Sequence, residues 1–296
     1  MRRGRPDGLA RPNRRTMLTD PQFDRTRRLA SLLAGIELVE RHRELLSRRS
    51  RRLGIRDAAG LDTLLGAAEA GDAQARRTFL SLLTTKFTEF FRHPAHFAIA
   101  AAHARGVVAR AGRARLWSAA AATGEEPYSL AIAIVEAFGN CEPPVEVVAT
   151  DIDREALAVA ERGEYAEAAV RAPGPERRAR YFEACGEPGR CRITDTIRRL
   201  VTIRPLNLID AEWPVEGPFD VIFCRNVLMY LEAGRRAEAV RRMASLLAPD
   251  GLFMLDPVED PGATGALFAA SAPGVFSRRP AARLRLGCSG AAEGRF

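Results

Sequence analysis

The chain is nearly without lysine. Lys86 is the only one in 296 residues, so arginine carries almost all the positive charge behind a formal net charge of +8. Those arginines are spread through every segment, and aromatics make up only 7% of the sequence. A nucleic-acid groove needs clustered charge with exposed rings, so no nucleic-acid partner is expected; a basic face can equally draw in an acidic protein. Cysteine is scarce as well. Cys141, Cys185, Cys191, Cys224 and Cys288 are odd in number and include no CxxC pair, which argues against a disulfide framework and for a reduced, cytoplasmic compartment. His93 and His96 form an HxxH without a third ligand of matching type nearby, so no metal is expected. No apolar run approaches the roughly 18 residues needed to span a bilayer, and no signal-peptide core follows the arginine-rich start, so no membrane insertion is expected.

At 47% hydrophobic, the chain has the composition for one substantial core and a smaller second unit. Residues 1–18, rich in Arg, Pro and Gly, read as a disordered basic tail, and residues 288–296 as a C-terminal tail. From 19 to 103 leucines recur three and four apart in "FDRTRRLASLLAGI", "ELVERHRELLSRRSRRLGI", "LDTLLGAAEA" and "AQARRTFLSLLTTKFTEFFR". This predicts a helical domain with breaks at Gly54, Gly60 and Gly71. From 104 to 287 short apolar runs alternate with helical stretches, the signature of a mostly parallel α/β sheet. Strands are predicted at 115–118, 145–150, 201–204, 219–224 and 252–255, with an edge hairpin from 275–277 and 282–286. The weak periodicity of 163–199 predicts a small inserted subdomain.

Glycine is missing where it would be most telling. "LWSAAAATGEEPYSLAIAI", residues 116–134, reads as strand, tight turn and helix, yet the turn holds only Gly124 and is followed by Glu125 and Glu126. A pyrophosphate site spreads glycines over this turn and presents a helix N-terminus to the anion, whereas two carboxylates repel it. Ligands of open parallel sheets lie outside the carboxyl ends of the strands. The second such end, "VEVVATDID", delivers Asp151 and Asp153, where a carboxylate commonly accepts from ribose hydroxyls. "RPLNLID" supplies Asn207 and Leu208, and "PFDVIFCRNVLMYL" supplies Arg225, Asn226 and Tyr230. Taken singly, Asp151 reads equally as a helix N-cap, the asparagines as loop caps and Tyr230 as a core aromatic. Taken together at successive strand ends, they suit a ligand with ribose and positive charge but no phosphate, namely S-adenosylmethionine. Comparable binding of NAD is not expected.

"TTKFTEFFRHPAHF", "WSAAAATGEEPYSLA", "FDVIFCRNVLMYLE" and "APDGLF" together resemble the chemotaxis receptor glutamate methyltransferases, the CheR type, from about residue 22 to about 286. The resemblance implies an all-α domain capping a Rossmann-like S-adenosylmethionine-dependent methyltransferase domain with a small β-type insertion. It also implies methylation of glutamates on the cytoplasmic domains of methyl-accepting chemoreceptors, by a monomer that releases S-adenosylhomocysteine. Carried onto this sequence, cofactor contacts are implied at Lys86, Thr88, Arg92, Ala121, Glu125, Glu126, Asp151, Asn207, Leu208, Arg225 and Asn226, with Arg92 and Tyr230 facing the reacting carboxylate. The sequence departs from the family pattern at Lys86, usually asparagine, and at "DPVE", Asp256 to Glu259, where Gly-His-Ser-Glu is usual. A lysine beside a cationic cofactor leads to the expectation that Lys86→Asn tightens S-adenosylmethionine selectively. Two rival readings stay open: a methyltransferase for another substrate, and an S-adenosylmethionine-binding interaction module without catalysis.

Overall fold

The computed structural model describes residues 18–86 and 88–279. The expected C-terminal tail, the strand at 282–286 and all but one residue of the expected N-terminal tail lie outside that range. The exception, Leu18, is buried among the helices rather than part of a tail.

The chain opens with helices α1 (Asp20–Ala34), α2 (Arg43–Arg52), α3 (Ala58–Glu69), α4 (Ala73–Leu83) and α5 (Pro94–Ala111). Thr19 and Gln22 form a capping box at the start of α1, and Gly35 ends that helix in the left-handed conformation. Phe23, Leu29, Leu61, Leu65, Phe79 and Leu82 supply the buried centre of the first four. Gly60 does not break a helix. It lies in the first turn of α3, where its N–H is capped by the Asp57 carboxylate, so the side chain of Asp57 sets the boundary instead. The helix expected to continue to Arg92 stops at Leu83. Phe91 and His93 take positive φ, Pro94 follows, and Phe90 and Phe91 are buried against the second domain, so residues 84–86 and 88–93 run as an irregular crossing segment. Helix α5 runs through residue 103, and its buried face packs with α6 and the sheet.

The second part contains β1 (Ala114–Ser118), α6 (Glu125–Phe138), β2 (Val145–Asp151), α7 (Arg154–Arg162), β3 (Glu164–Ala166), α8 (Pro175–Tyr181), β4 (Phe182–Ala184), β5 (Arg190–Ile193) and α9 (Asp195–Arg198). It continues through β6 (Val201–Pro205), β7 (Phe219–Phe223), α10 (Ala233–Leu246), β8 (Leu247–Met254), β9 (Phe268–Ala272) and β10 (Val275–Arg278). Seven strands lie in the order β6-β2-β1-β7-β8-β10-β9. The first five are parallel, and β10 and β9 form the antiparallel edge. The edge hairpin therefore joins 268–272 to 275–278; the sequence disguised the first arm, "FAASA", because it has a single large apolar residue. Strands β3, β5 and β4 form the separate insertion. Alternation within β1, β2 and β7 sends Leu116, Val147 and Val221 to one side and Trp117, Val148 and Ile222 to the other, giving a core on each face. Strand order reverses beside β1, which opens a crevice at the carboxyl ends of β1 and β7.

Gly124 fixes the turn at that crevice. Its φ is +99°, and a Cβ there would lie 2.8 Å from both Ala160 Cβ and Tyr165 Oη. Gly124→Ala is expected to lose about 1–3 kcal/mol of stability through strain and overlap. Thermal unfolding should shift down by several degrees; an unchanged midpoint would show that the turn relaxes freely.

Candidate functional site

The carboxyl ends of the parallel strands, the crossing segment and the first two helices enclose a cavity of about 470 Å3, within the range of small-molecule sites. Its wall combines Ile36, Leu38, Leu46, Ile152, Leu206 and Leu208 with Glu126, Asp151, Arg92 and Arg225. The helical domain closes over the strand ends through the backbone: Glu37 N–H donates to Tyr230 O at 2.9 Å, and Glu232 N–H to Gly35 O at 2.8 Å.

At the β1 end, Ala119, Ala120, Ala122 and Glu126 face the cavity. Glu126 accepts from Ser118 Oγ at 2.8 Å and pairs with Arg225 Nη1 at 3.4 Å. Burial pushes its carboxyl up, with Arg225 pulling the other way. Glu125 points elsewhere: it accepts from Thr123 Oγ1 at 2.6 Å and is absent from the cavity lining, as is Ala121. The helical repeat turns the first of the two glutamates away from the second.

Asp151 accepts from the N–H groups of Ala122 and Asp153, each at 2.8 Å, and burial pushes its carboxyl up to about 6. It is not the N-cap of α7. That place belongs to Asp153, which accepts from Glu155 and Ala156 N–H. Asp151 is thereby left to line the cavity.

Asn207 and Leu208 line the wall beyond β6, but the amide of Asn207 donates to Leu33 O at 2.9 Å and its oxygen accepts from Ile209 N–H at 3.3 Å. Part of its bonding capacity thus joins α1 to the strand end. Beyond β7, Arg225 donates to Arg92 O at 2.7 Å, and Asn226, at φ +58°, donates through its amide to Asp256 Oδ2 at 2.8 Å. Thr88, Arg92 and Tyr230 complete the lining. Arg92 Nη2 and His93 Nε2 lie 3.4 and 3.3 Å from the same Asp256 oxygen. Burial raises the Asp256 carboxyl, but the Asn226 amide, Val258 N–H, His93 and Arg92 together hold it below the usual range.

Sequence reasoning therefore identified ten positions that the fold brings to one cavity, and two, Ala121 and Glu125, that it does not. It missed Asp256 as a partner of Arg92, along with His42 and Arg49 from the helical domain. "DPVE" marked the first as a departure; nothing separated Arg49 from the surrounding arginines. Among the described residues no group of three or more His, Cys, Asp or Glu is placed to hold a metal ion, and no helix is long and apolar enough to cross a membrane.

Residues 86–260 match the family model described as CheR methyltransferase, SAM binding domain. The chain belongs to the CheR methyltransferase family. It is 40% identical over 241 residues to chemotaxis protein methyltransferase 2 of Pseudomonas aeruginosa, covering 79% of this chain and 85% of that protein. To the chemotaxis protein methyltransferase of Escherichia coli it is 39% identical over 257 residues, covering 84% and 88%. Membership of the CheR family makes the chain a methyltransferase that uses S-adenosylmethionine, and the cavity fits that cofactor: buried carboxylates suit a cation, the apolar wall suits a base, and no glycine-rich phosphate turn is present.

Lys86 lies at the cavity without leaving its charge uncompensated. Its ammonium donates to Ser81 Oγ at 2.8 Å and sits 3.3 Å from Asp153 and 3.5 Å from Glu155. The selective tightening expected from charge alone loses its basis. Lys86→Asn should instead change the affinities for S-adenosylmethionine and S-adenosylhomocysteine by less than about threefold, because neighbouring carboxylates already offset the ammonium. Calorimetry checks this, and a selective gain for the cationic form would show that the lysine field reaches the sulfonium.

Proposed function

We propose that the chain transfers a methyl group from S-adenosylmethionine to glutamate side chains on the cytoplasmic helices of chemoreceptors, acting in the cytoplasm. The carrying observation is an arginine, Arg92, lining the same cavity as the carboxylates Glu126 and Asp151. Such a site accepts a carboxylate beside a cation-binding chamber. The chemotaxis protein methyltransferases to which the chain is similar supply the chemotaxis context.

When bound, S-adenosylmethionine supplies an electrophilic methyl on a sulfonium. Asp151 has acceptor capacity beyond its two backbone donors and is assigned to the ribose hydroxyls. Glu126 supplies negative charge near the amino-acid end, and Thr88, Asn207, Leu208, Arg225 and Asn226 shape or bond the remaining wall. A glutamate side chain has an ordinary pKa of about 4.3 and is already anionic near neutral pH, so no general base is required. The protein's task is alignment, which supplies roughly 7–11 kcal/mol in well-oriented reactions. Arg92 holds the substrate carboxylate through its planar fork, and the Tyr230 hydroxyl donates to the same group.

Radiolabelled methyl donor, incubated with the protein and receptor-containing membranes, is expected to label receptor-sized protein and return as volatile methanol in mild alkali. Arg92→Ala should lower transfer at least about tenfold, or 1.4 kcal/mol, with cofactor affinity changed far less, and Arg92→Lys should restore only part. Absence of label from receptors would overturn the substrate; wild-type transfer by Arg92→Ala would remove that residue from its role.

Asp151 makes cofactor binding depend on pH. Hydroxyl donors favour its ionised form, so binding lowers its pKa from about 6 and releases a proton. Affinity for S-adenosylhomocysteine should therefore be full above that pH and decline below it. Asp151→Asn should bind more weakly at neutral pH and lose this component of the decline. Calorimetric titration across the interval is the check, and an unchanged pH profile in the variant would move the ribose contact elsewhere.

A further inference from the structure

Asp256 leaves β8 directly beneath Arg92 and is only 4% exposed. The loop after the strand holds it firmly: its N–H donates to Glu259 Oε2 at 3.2 Å, and Oδ1 accepts from Val258 N–H at 3.3 Å. Oδ2 is directed toward Asn226 Nδ2 at 2.8 Å, His93 Nε2 at 3.3 Å and Arg92 Nη2 at 3.4 Å. Arg225 already faces Glu126 and the Arg92 carbonyl. An anion approaching Arg92 therefore meets a guanidinium whose charge is partly offset by a fixed carboxylate.

We infer that Asp256 is a specificity-determining residue, an internal rival of the substrate carboxylate for Arg92. This rests on the assignment of Arg92 to the substrate anion. Two carboxylates sharing one guanidinium repel at short range in a partly dry site. The penalty falls on a bound glutamate and spares a neutral side chain of the same shape, such as glutamine or the methyl ester. It also falls most on the ground state, because negative charge leaves the acceptor as the ester bond forms. The pair thus selects for substrates whose surrounding contacts are strong enough to place a glutamate against the repulsion, and it eases release of the neutral product.

The test compares peptides of a receptor methylation helix that carry either glutamate or glutamine at the target position. Binding is measured by calorimetry with S-adenosylhomocysteine present, so that no turnover occurs. Intact protein should bind the glutamine peptide at least as tightly as the glutamate peptide. Asp256→Asn and Asp256→Ser should each tighten the glutamate peptide at least about threefold while leaving the glutamine peptide unchanged. With receptor as substrate, KM should fall by a similar factor and kcat should not rise. Unchanged S-adenosylhomocysteine affinity confirms that the variants are folded; should they not fold, the glutamate-to-glutamine comparison in intact protein decides alone. Stronger binding of the glutamate peptide by intact protein, or neutral variants with unchanged KM and lower kcat, would overturn the inference and make Asp256 a positioning residue for Arg92. Absence of methyl transfer by intact protein would instead overturn the functional reading, and this inference with it.

Discussion

The guanidinium of Arg225 is the tie on which the cavity depends. Its side chain is 2% exposed, faces Glu126 across 3.4 Å, donates to the Arg92 carbonyl at 2.7 Å and lies over the rings of Phe97 and Phe223. A charge this deep needs a partner of opposite sign and an acceptor for the fork, met here by Glu126 and the Arg92 carbonyl, while Nε and Nη1 make no hydrogen bond. Those requirements bring together three pieces distant in sequence: the helix after β1, the end of β7 and the crossing segment that carries Arg92. The aromatic faces below make the pocket for the cation and exclude water from it.

The same tie places the two chemical halves of the cavity side by side. Glu126, paired with Arg225, and Asp151 line the cavity at the ends of β1 and β2, and burial raises both carboxyls. Arg92 stands at the junction with Asn226 and Asp256. The helical domain completes the enclosure through backbone hydrogen bonds and the Asn207–Leu33 contact, beside the charge pairs of Lys86 with Asp153 and Glu155 and of Arg92 with Asp256.

Where sequence reasoning failed, a tertiary contact outweighed a local preference. The run from Thr84 to Arg92 has helical spacing, but Phe90 and Phe91 gain more by burial against the second domain, and Pro94 imposes a new start. Gly60 resembles a helix break until Asp57 supplies the cap that lets it open α3. Lys86 looks misplaced beside a cationic ligand until Asp153 and Glu155 are brought to it from α7.

The sequence alone determined the parallel sheet, the strand ends and the single-glycine turn with its acidic helix start, because each is written in local periodicity and residue chemistry. It also identified Glu126, Asp151, Asn207, Arg225, Asn226 and Tyr230 at the cavity, since those lie beyond strands whose carboxyl ends share one edge; Lys86, Thr88 and Arg92 came from the resemblance of the segment before α5. Only the tertiary structure decided which glutamate faces the cavity, that Asp153 rather than Asp151 caps α7, and that Asp256 reaches Arg92 across 164 positions of chain. Those outcomes depend on side-chain direction and on contacts between segments remote in sequence, and neither leaves a periodic trace in the order of residues.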